Sequence, residues 1–166
     1  IAHCPRTNSS LGMGIAPLNE YLKAGMRIGL GTDSPAATEA GDIFAEMRTG
    51  MQLQRATSPQ DFLLSDTMLE LGTIGGAKVL GLADSIGSLE VGKKADVIAV
   101  DLSSSHSIPT KNPIAAVVNT AVGSNVLMTM IGGRILYDNG GIHLDIDIFR
   151  NLERVIAMRS QLRSQF

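Results

Sequence analysis

One cysteine, Cys4, in a chain of 166 residues excludes an internal disulfide framework and fits a reducing compartment, so a cytoplasmic protein is expected. Charge is scarce and almost balanced. The 14 Lys and Arg against 16 Asp and Glu give a formal net charge of −2, which leaves no electrostatic footprint for nucleic acid or an acidic membrane surface. Long hydrophobic runs are missing too: Gly, Asp or Lys interrupts the apolar stretches every few residues, and none approaches the roughly 20 residues of a membrane span. No G-x-G-x-x-G stands at a strand–helix turn and there is no phosphate-binding loop. The chain opens Ile1-Ala2-His3-Cys4-Pro5, with neither an initiator Met nor the charged-then-apolar layout of a signal peptide. It begins as though inside a buried strand, and a larger parent protein is expected.

What is present is ordinary globular material. A 44% hydrophobic and 18% charged composition suits one domain with a proper core, or parts of two. Ile1 to Cys4 reads as the tail of a strand stopped by Pro5, and Arg6 to Gly14 as a long polar, glycine-rich loop. Ile15, Leu18 and Leu22 fall at helical spacing, with Pro17 in the first turn and Gly25 as the stop. Met26 to Leu30 makes the next buried strand, so the opening is a parallel crossover. Ile43, Phe44, Met47 and Met51 mark one face of a helix ending near Ala56. Ser65 can cap a helix over 66–71, and Thr73 another over 74–80, closed by Gly81.

After that the pattern turns from αβ to β. Residues 85–92 read as a turn and short strand, Ala95 to Asp101 as a buried strand, and Ser103 to Asn112 as an exposed polar loop. Val126–Ile131 and Arg134–Tyr137 flank Gly132-Gly133, a two-residue hairpin signal. A separate small sheet is expected here. Ile148, Leu152, Val155, Ile156 and Leu162 share a helical face that must pack on something.

The candidate for chemistry is Asp33, in Ile28-Gly29-Leu30-Gly31-Thr32-Asp33-Ser34-Pro35. An apolar strand ends in a turn that presents one carboxylate, and reactive groups of parallel barrels sit at the C-terminal strand ends. Asp33 reads either as a metal ligand or proton-transfer group, or as a turn residue capping the next helix. His3, near the end of the preceding strand, could stand beside it or could shape the loop. One Asp and one His do not make a zinc site, which usually takes three protein ligands. His106 and His143 fall in loop or hairpin regions and are expected in solvent. Cys4 is expected to be a buried, inert thiol. Glu39, Asp42, Glu46 and Arg48 are expected to form the first turns and solvent face of the helix after Asp33.

Three stretches together resemble one family in order and spacing. They are His3-Cys4-Pro5-Arg6-Thr7-Asn8 with Leu11 and Gly14; Gly29-Leu30-Gly31-Thr32-Asp33-Ser34 with Asp42 and Glu46-Met47-Arg48; and Ile86 to Asp96, Ile-Gly-Ser-Leu-Glu-Val-Gly-Lys-Lys-Ala-Asp. They are similar to the C-terminal part of metal-dependent amidohydrolases, in the branch of methylthioadenosine/S-adenosylhomocysteine deaminases, guanine deaminases and triazine chlorohydrolases. The resemblance, which reaches to about Tyr137, implies an α/β fold: the C-terminal portion of a (β/α)8 TIM-like barrel over 1–84 and part of a small β-sandwich over 85–143, followed by the amphipathic helix that the apolar spacing gives over 144–166. It implies that Asp33 is the last-strand aspartate, which binds the metal and carries a proton from the attacking water to the leaving group. His3 and Ser34 would then lie close to substrate, and 86–96 would be structural. The cofactor implied is a divalent metal, zinc or else iron, whose other ligands would lie upstream of Ile1.

The function expected is hydrolytic deamination of an adenosine-like or related nitrogen heterocycle by the full-length parent, the present chain alone being inactive. The alternatives are a chlorohydrolase or ring-amide hydrolase on the same site, and a non-catalytic, self-associating truncated product. The expected partners are a small heterocyclic substrate and further copies of the chain, with neither nucleic acid nor membrane.

Overall fold

The computed structural model describes residues 1–38, 40–103, 111–144 and 148–163. The expected parallel pair is present. β1 (Ala2–His3) and β2 (Gly29–Leu30) align Ala2 with Gly29 and His3 with Leu30, tied by the Gly29 N–H to Ile1 O and the Gly31 N–H to His3 O. Between them the chain differs from the expected loop. Pro5–Ser10 forms a helix, α1, because Pro5 supplies a pre-set first-turn φ and lacks only an N–H that would be unpaired there. The Ser9 hydroxyl donates to Pro5 O at 2.9 Å. The second helix, α2 (Leu18–Lys23), starts later than the apolar spacing implies: Pro17 is its N-cap and Ile15 stands outside it, exposed. Gln54 sets that start. Its amide accepts from Leu18 N at 3.1 Å and donates to Ala16 O at 2.8 Å, buried.

After β2 come a short α3 (Pro35–Thr38) and the long α4 (Ile43–Thr57). Asp42 caps α4, accepting from Phe44 N at 2.8 Å and Ala45 N at 3.2 Å. Ser58 ends it, as the Ser58-Pro59 break implies. Instead of two helices divided at Thr73, α5 (Ser65–Glu70) runs through a π-helical turn over Leu71–Gly75 into α6 (Gly76–Leu80). The Thr73 hydroxyl bonds back to Leu69 O at 2.7 Å rather than capping; a hydroxyl already inside a helix satisfies itself on the preceding turn. Gly81, at φ 71, closes the run.

The core forms where α4 and α5 meet α7 (Pro113–Asn119), a helix capped by Asn112 that the polar-loop reading passed over. Met47, Met51, Met68 and Val118 are almost fully enclosed, joined by Leu18 and Ile28. On the other side of β2 the π turn approaches closely. A Cβ on Gly29 would lie 2.6 Å from Gly76 Cα, and one on Gly75 2.7 Å from Ile28 O, so strand and helix touch backbone to backbone.

The expected small sheet is antiparallel and four-stranded: β3 (Val97–Val100), β4 (Val126–Ile131), β5 (Arg134–Asp138) and β6 (Gly141–Ile142), in that order. Gly132 and Gly133, both at positive φ, turn the hairpin that pairs Ile131 with Arg134. Two expectations fail here. Residues 85–92 form turns without a strand, held by the Lys94 N–H to Ser85 O. β3 is half-buried, with Ile98 exposed, rather than buried. The last helix, α8 (Ile148–Arg163), forms as its periodicity implies, but Leu152, Val155 and Ile156 are exposed; no apolar surface of the described residues covers them. The side chains of Ile148 and Leu162, Glu39, His106 and most of the 103–112 loop lie outside the described residues. Among those residues no helix is long and apolar enough to cross a membrane.

Candidate functional site

Asp33 stands three residues beyond the end of β2, exposed. Its backbone is left-handed, φ 57, a conformation that costs most residues about 1–3 kcal/mol and that Asp and Asn tolerate best. The Ser34 N–H donates to its Oδ1 at 2.7 Å, and Ser34 Oγ accepts from Ala36 N at 3.2 Å to start α3. So the turn reading of Asp33 holds for one carboxylate oxygen. The other has no hydrogen-bond partner among the described residues. Ser34 is exposed beside it.

His3 is not on that face. Its residue is 5% exposed. Nε2 is sealed without a partner among the described residues, 3.8 Å from where a Cβ on Gly50 would lie, a site also bounded by Met68 and Pro5. Burial pushes its pKa below the ordinary histidine value, so the ring is neutral near pH 7. His3, expected close to substrate, is thus buried in this chain, with Gly50, Met68 and Pro5 around its ring. Cys4 is half-buried, and Gly31 has its sulfur for a neighbour. Desolvation raises its pKa first, the nearby Asp33 and Glu46 charges add to this, and a hydrogen bond from the Asp33 backbone partly offsets them. A thiol so disposed is protonated and a poor nucleophile, as expected.

The acidic residues of α4 depart most from expectation. Asp42 is the cap, but Glu46 is 0% exposed and Arg48 is half-buried, its Nη2 donating to Ala121 O at 2.5 Å. Glu46 falls i+3 from Ile43 and i+4 before Gly50, inside the core-facing stripe, so that stripe cannot be a solvent face. Its carboxylate is kept in the core by Arg6: Oε2 accepts the Arg6 N–H at 3.1 Å, and Oε1 lies 3.7 Å from Nη1. Burial raises the Glu46 pKa, and the bond and charge of Arg6 oppose that rise. Arg6 was not among the residues singled out from sequence. Its signal was positional, a cation two residues past a strand end in a chain with few charges.

No group of three metal-ligating side chains exists among the described residues. Asp33, exposed and with one carboxylate oxygen bonded to the Ser34 N–H, could serve a metal only as one ligand of a set completed by other residues. His143 is exposed at the far end of β6.

The Asp33 carboxylate stands just past the C-terminal end of a strand in a two-stranded parallel pair, the end at which barrels of parallel strands carry their reactive groups. The comparisons give the family. The chain belongs to the amidohydrolase family, whose profile matches residues 1–136. It is 38% identical over 143 residues to the 5-methylthioadenosine/S-adenosylhomocysteine deaminase of Moorella thermoacetica, covering 86% of this chain and 33% of that protein. Among solved structures, an adenosine deaminase from Xanthomonas campestris with bound zinc superposes with a TM-score of 0.93 at 31% identity, over 98% of this chain and 37% of the other. The zinc complex of an atrazine chlorohydrolase from Arthrobacter aurescens superposes at 0.83 with 28% identity, over 98% and 35%. The fold is thus a portion of a TIM-barrel amidohydrolase, and the chain spans about a third of the length of the curated relatives it matches.

Proposed function

We propose that the full-length enzyme to which this chain belongs is a metal-dependent hydrolytic deaminase of an adenosine-like heterocycle, and that Asp33 is its metal-binding and proton-carrying carboxylate. The observation that carries this reading is the exposed Asp33 carboxylate just past a strand end, one oxygen held by the Ser34 N–H and the other without a hydrogen-bond partner among the described residues. Zinc, present in the related structures, is the metal we assign. When bound, a divalent ion supplies acidity to a water molecule near neutral pH. The chain's own residues do the rest. Asp33 takes a proton from the attacking water and delivers it to the departing amine. Its neighbour Ser34, exposed on the same turn, meets the substrate. The remaining ligands come from outside the 166 residues.

Within this reading, residues 1–84 are the closing portion of the barrel, 85–143 one half of a β-sandwich, and 144–166 a docking helix. The half-buried sheet with apolar residues on both faces supports the sandwich. The exposed apolar side chains of α8 and of Leu11 and Met13 support self-association of the isolated chain. A cytoplasmic site is in keeping with the single free thiol. Likeness to the chlorohydrolase favours one second reading, displacement of a ring halide by the same carboxylate chemistry.

The test is product release by the purified full-length enzyme. Ammonia from 5'-methylthioadenosine or S-adenosylhomocysteine supports the deaminase, and chloride from a chlorinated triazine with no ammonia supports the alternative. Release of neither refutes both.

A further inference from the structure

We propose that Arg6 and Glu46 are positioning residues for Asp33, an ion pair between a half-buried guanidinium and a buried carboxylate that straps the segment after β2 to the segment after β1. The proposal rests on the role given to Asp33 above. Asp33 is exposed and sits in a strained conformation, and its carboxylate is held only by the Ser34 N–H of its own turn, so its position depends on how that turn is fixed. Its loop is fixed from the side. Nη2 of Arg6 donates to Thr38 O at 2.9 Å and Nη1 to Ala40 O at 3.0 Å. The buried Thr38 hydroxyl then donates to Thr32 O at 3.2 Å, one residue before Asp33. The guanidinium thus holds the far end of the loop and, through Thr38, the near end as well.

Glu46 makes this rigid. It stands on α4, the helix whose Met47 and Met51 are core residues; its Oε2 accepts the Arg6 backbone N–H, and its Oε1, without a hydrogen bond among the described residues, faces the guanidinium as an ion pair at 3.7 Å. The line of contact runs from a core helix through Glu46, Arg6 and Thr38 to Thr32. A fixed planar fork that donates to two separate carbonyls is what Arg provides and Lys does not. A neutral pair would leave those carbonyls with weaker bonds. A fully buried carboxylate kept for this purpose, where an apolar residue would serve packing equally well, argues for geometry rather than stability.

The experiment is amide hydrogen exchange on the full-length enzyme and on its Arg6→Met, Arg6→Lys and Glu46→Gln variants, with Lys78→Met, which breaks only the exposed pair to Glu70, as control. In Arg6→Met the amides of Ser34, Ala36 and Ala37, bonded within the loop, exchange about tenfold faster. Met47 and Met51 in α4 keep their wild-type rates, Arg6→Lys falls between, and the control changes nothing. Unaltered exchange over 32–38 in Arg6→Met, or equal acceleration in α4, overturns the proposal. If Arg6→Met does not fold, the same comparison is made with Arg6→Lys and Glu46→Gln, each read against α4. In the full-length enzyme, Arg6→Met lowers kcat about tenfold with KM within twofold, and Arg6→Lys restores part of it. An unchanged kcat alongside faster exchange also overturns it. A wild-type enzyme that releases no ammonia refutes the deaminase reading instead, and the exchange comparison still decides whether the strap holds the loop.

Discussion

Gly29 and Gly76 face each other across the strand–helix contact beneath the Asp33 turn, and alanine at the two positions has opposite consequences. A Cβ on Gly29 would sit 2.6 Å from Gly76 Cα and 2.9 Å from its N. Carbon atoms in contact rest about 3.5–4.0 Å apart, so the helix backbone must retreat by about 1 Å. Both partners are main chain, with no flexible tip to yield, and the cost lies in the upper range for overpacking, about 2–3 kcal/mol. That lowers Tm by about 4–12 °C for a chain of this size. A Cβ on Gly76, by contrast, meets only Leu71 O at 4.0 Å. Gly76→Ala removes a helix-interior glycine without a clash and stabilises by about 0.5–1 kcal/mol, raising Tm by about 1–4 °C. Thermal unfolding followed by far-UV circular dichroism on both variants checks this. A Gly29→Ala melt within 1 °C of wild type, judged against the expected ~4 °C minimum, or a Gly76→Ala melt below that of Gly29→Ala, refutes the argument that this contact is backbone on backbone.

Replacing Asp33 by Gly relieves the left-handed strain, so the melt of the chain is unchanged or rises by about 1 kcal/mol equivalent, while turnover of the full-length enzyme falls by at least about 10²-fold. Equal losses of stability and activity would speak against a functional carboxylate. The buried, neutral His3 gives a pH effect of definite sign. Because its folded-state pKa is depressed, the unfolded chain binds the extra proton first. Its contribution to stability is complete above about pH 6.5 and is lost as pH falls from there through the depressed value. Urea unfolding at several pH values shows this slope in wild type and a shallower one in His3→Gln; parallel slopes would contradict it. Asp42→Ala removes the two-bond cap of α4 and costs about 1 kcal/mol, read as a fall in the urea midpoint with an unchanged m-value.

Local signals made much of the architecture legible. The Gly132-Gly133 hairpin, the Gly81 stop and the Met47/Met51 face each need only one short stretch of chain, and each stands where its residues imply. The misses have two causes. Pro5 opening α1 and Asn112-Pro113 starting α7 are local start signals that went unread, whereas the π turn that carries α5 past Thr73 packs against β2, far along the chain. Glu46 is the instructive case. Its spacing placed it in the core stripe, but its charge argued for solvent, and only a partner forty residues away, Arg6, makes burial tolerable. Asp33 was legible because a strand end and a turn are local, whereas the sealing of His3 by Gly50 and Met68 was not. The outward apolar face of α8 follows its periodicity and lacks a cover among the described residues.

The central claim is that Asp33 carries the chemistry of a deaminating amidohydrolase. It is tested most directly by ammonia release from 5'-methylthioadenosine by the full-length enzyme, wild type beside Asp33→Asn, with the zinc content of both measured on the same samples. The account predicts steady ammonia release by the wild type and a loss of at least about 10²-fold in the variant, with zinc retained less well. A variant that releases ammonia at the wild-type rate would contradict it.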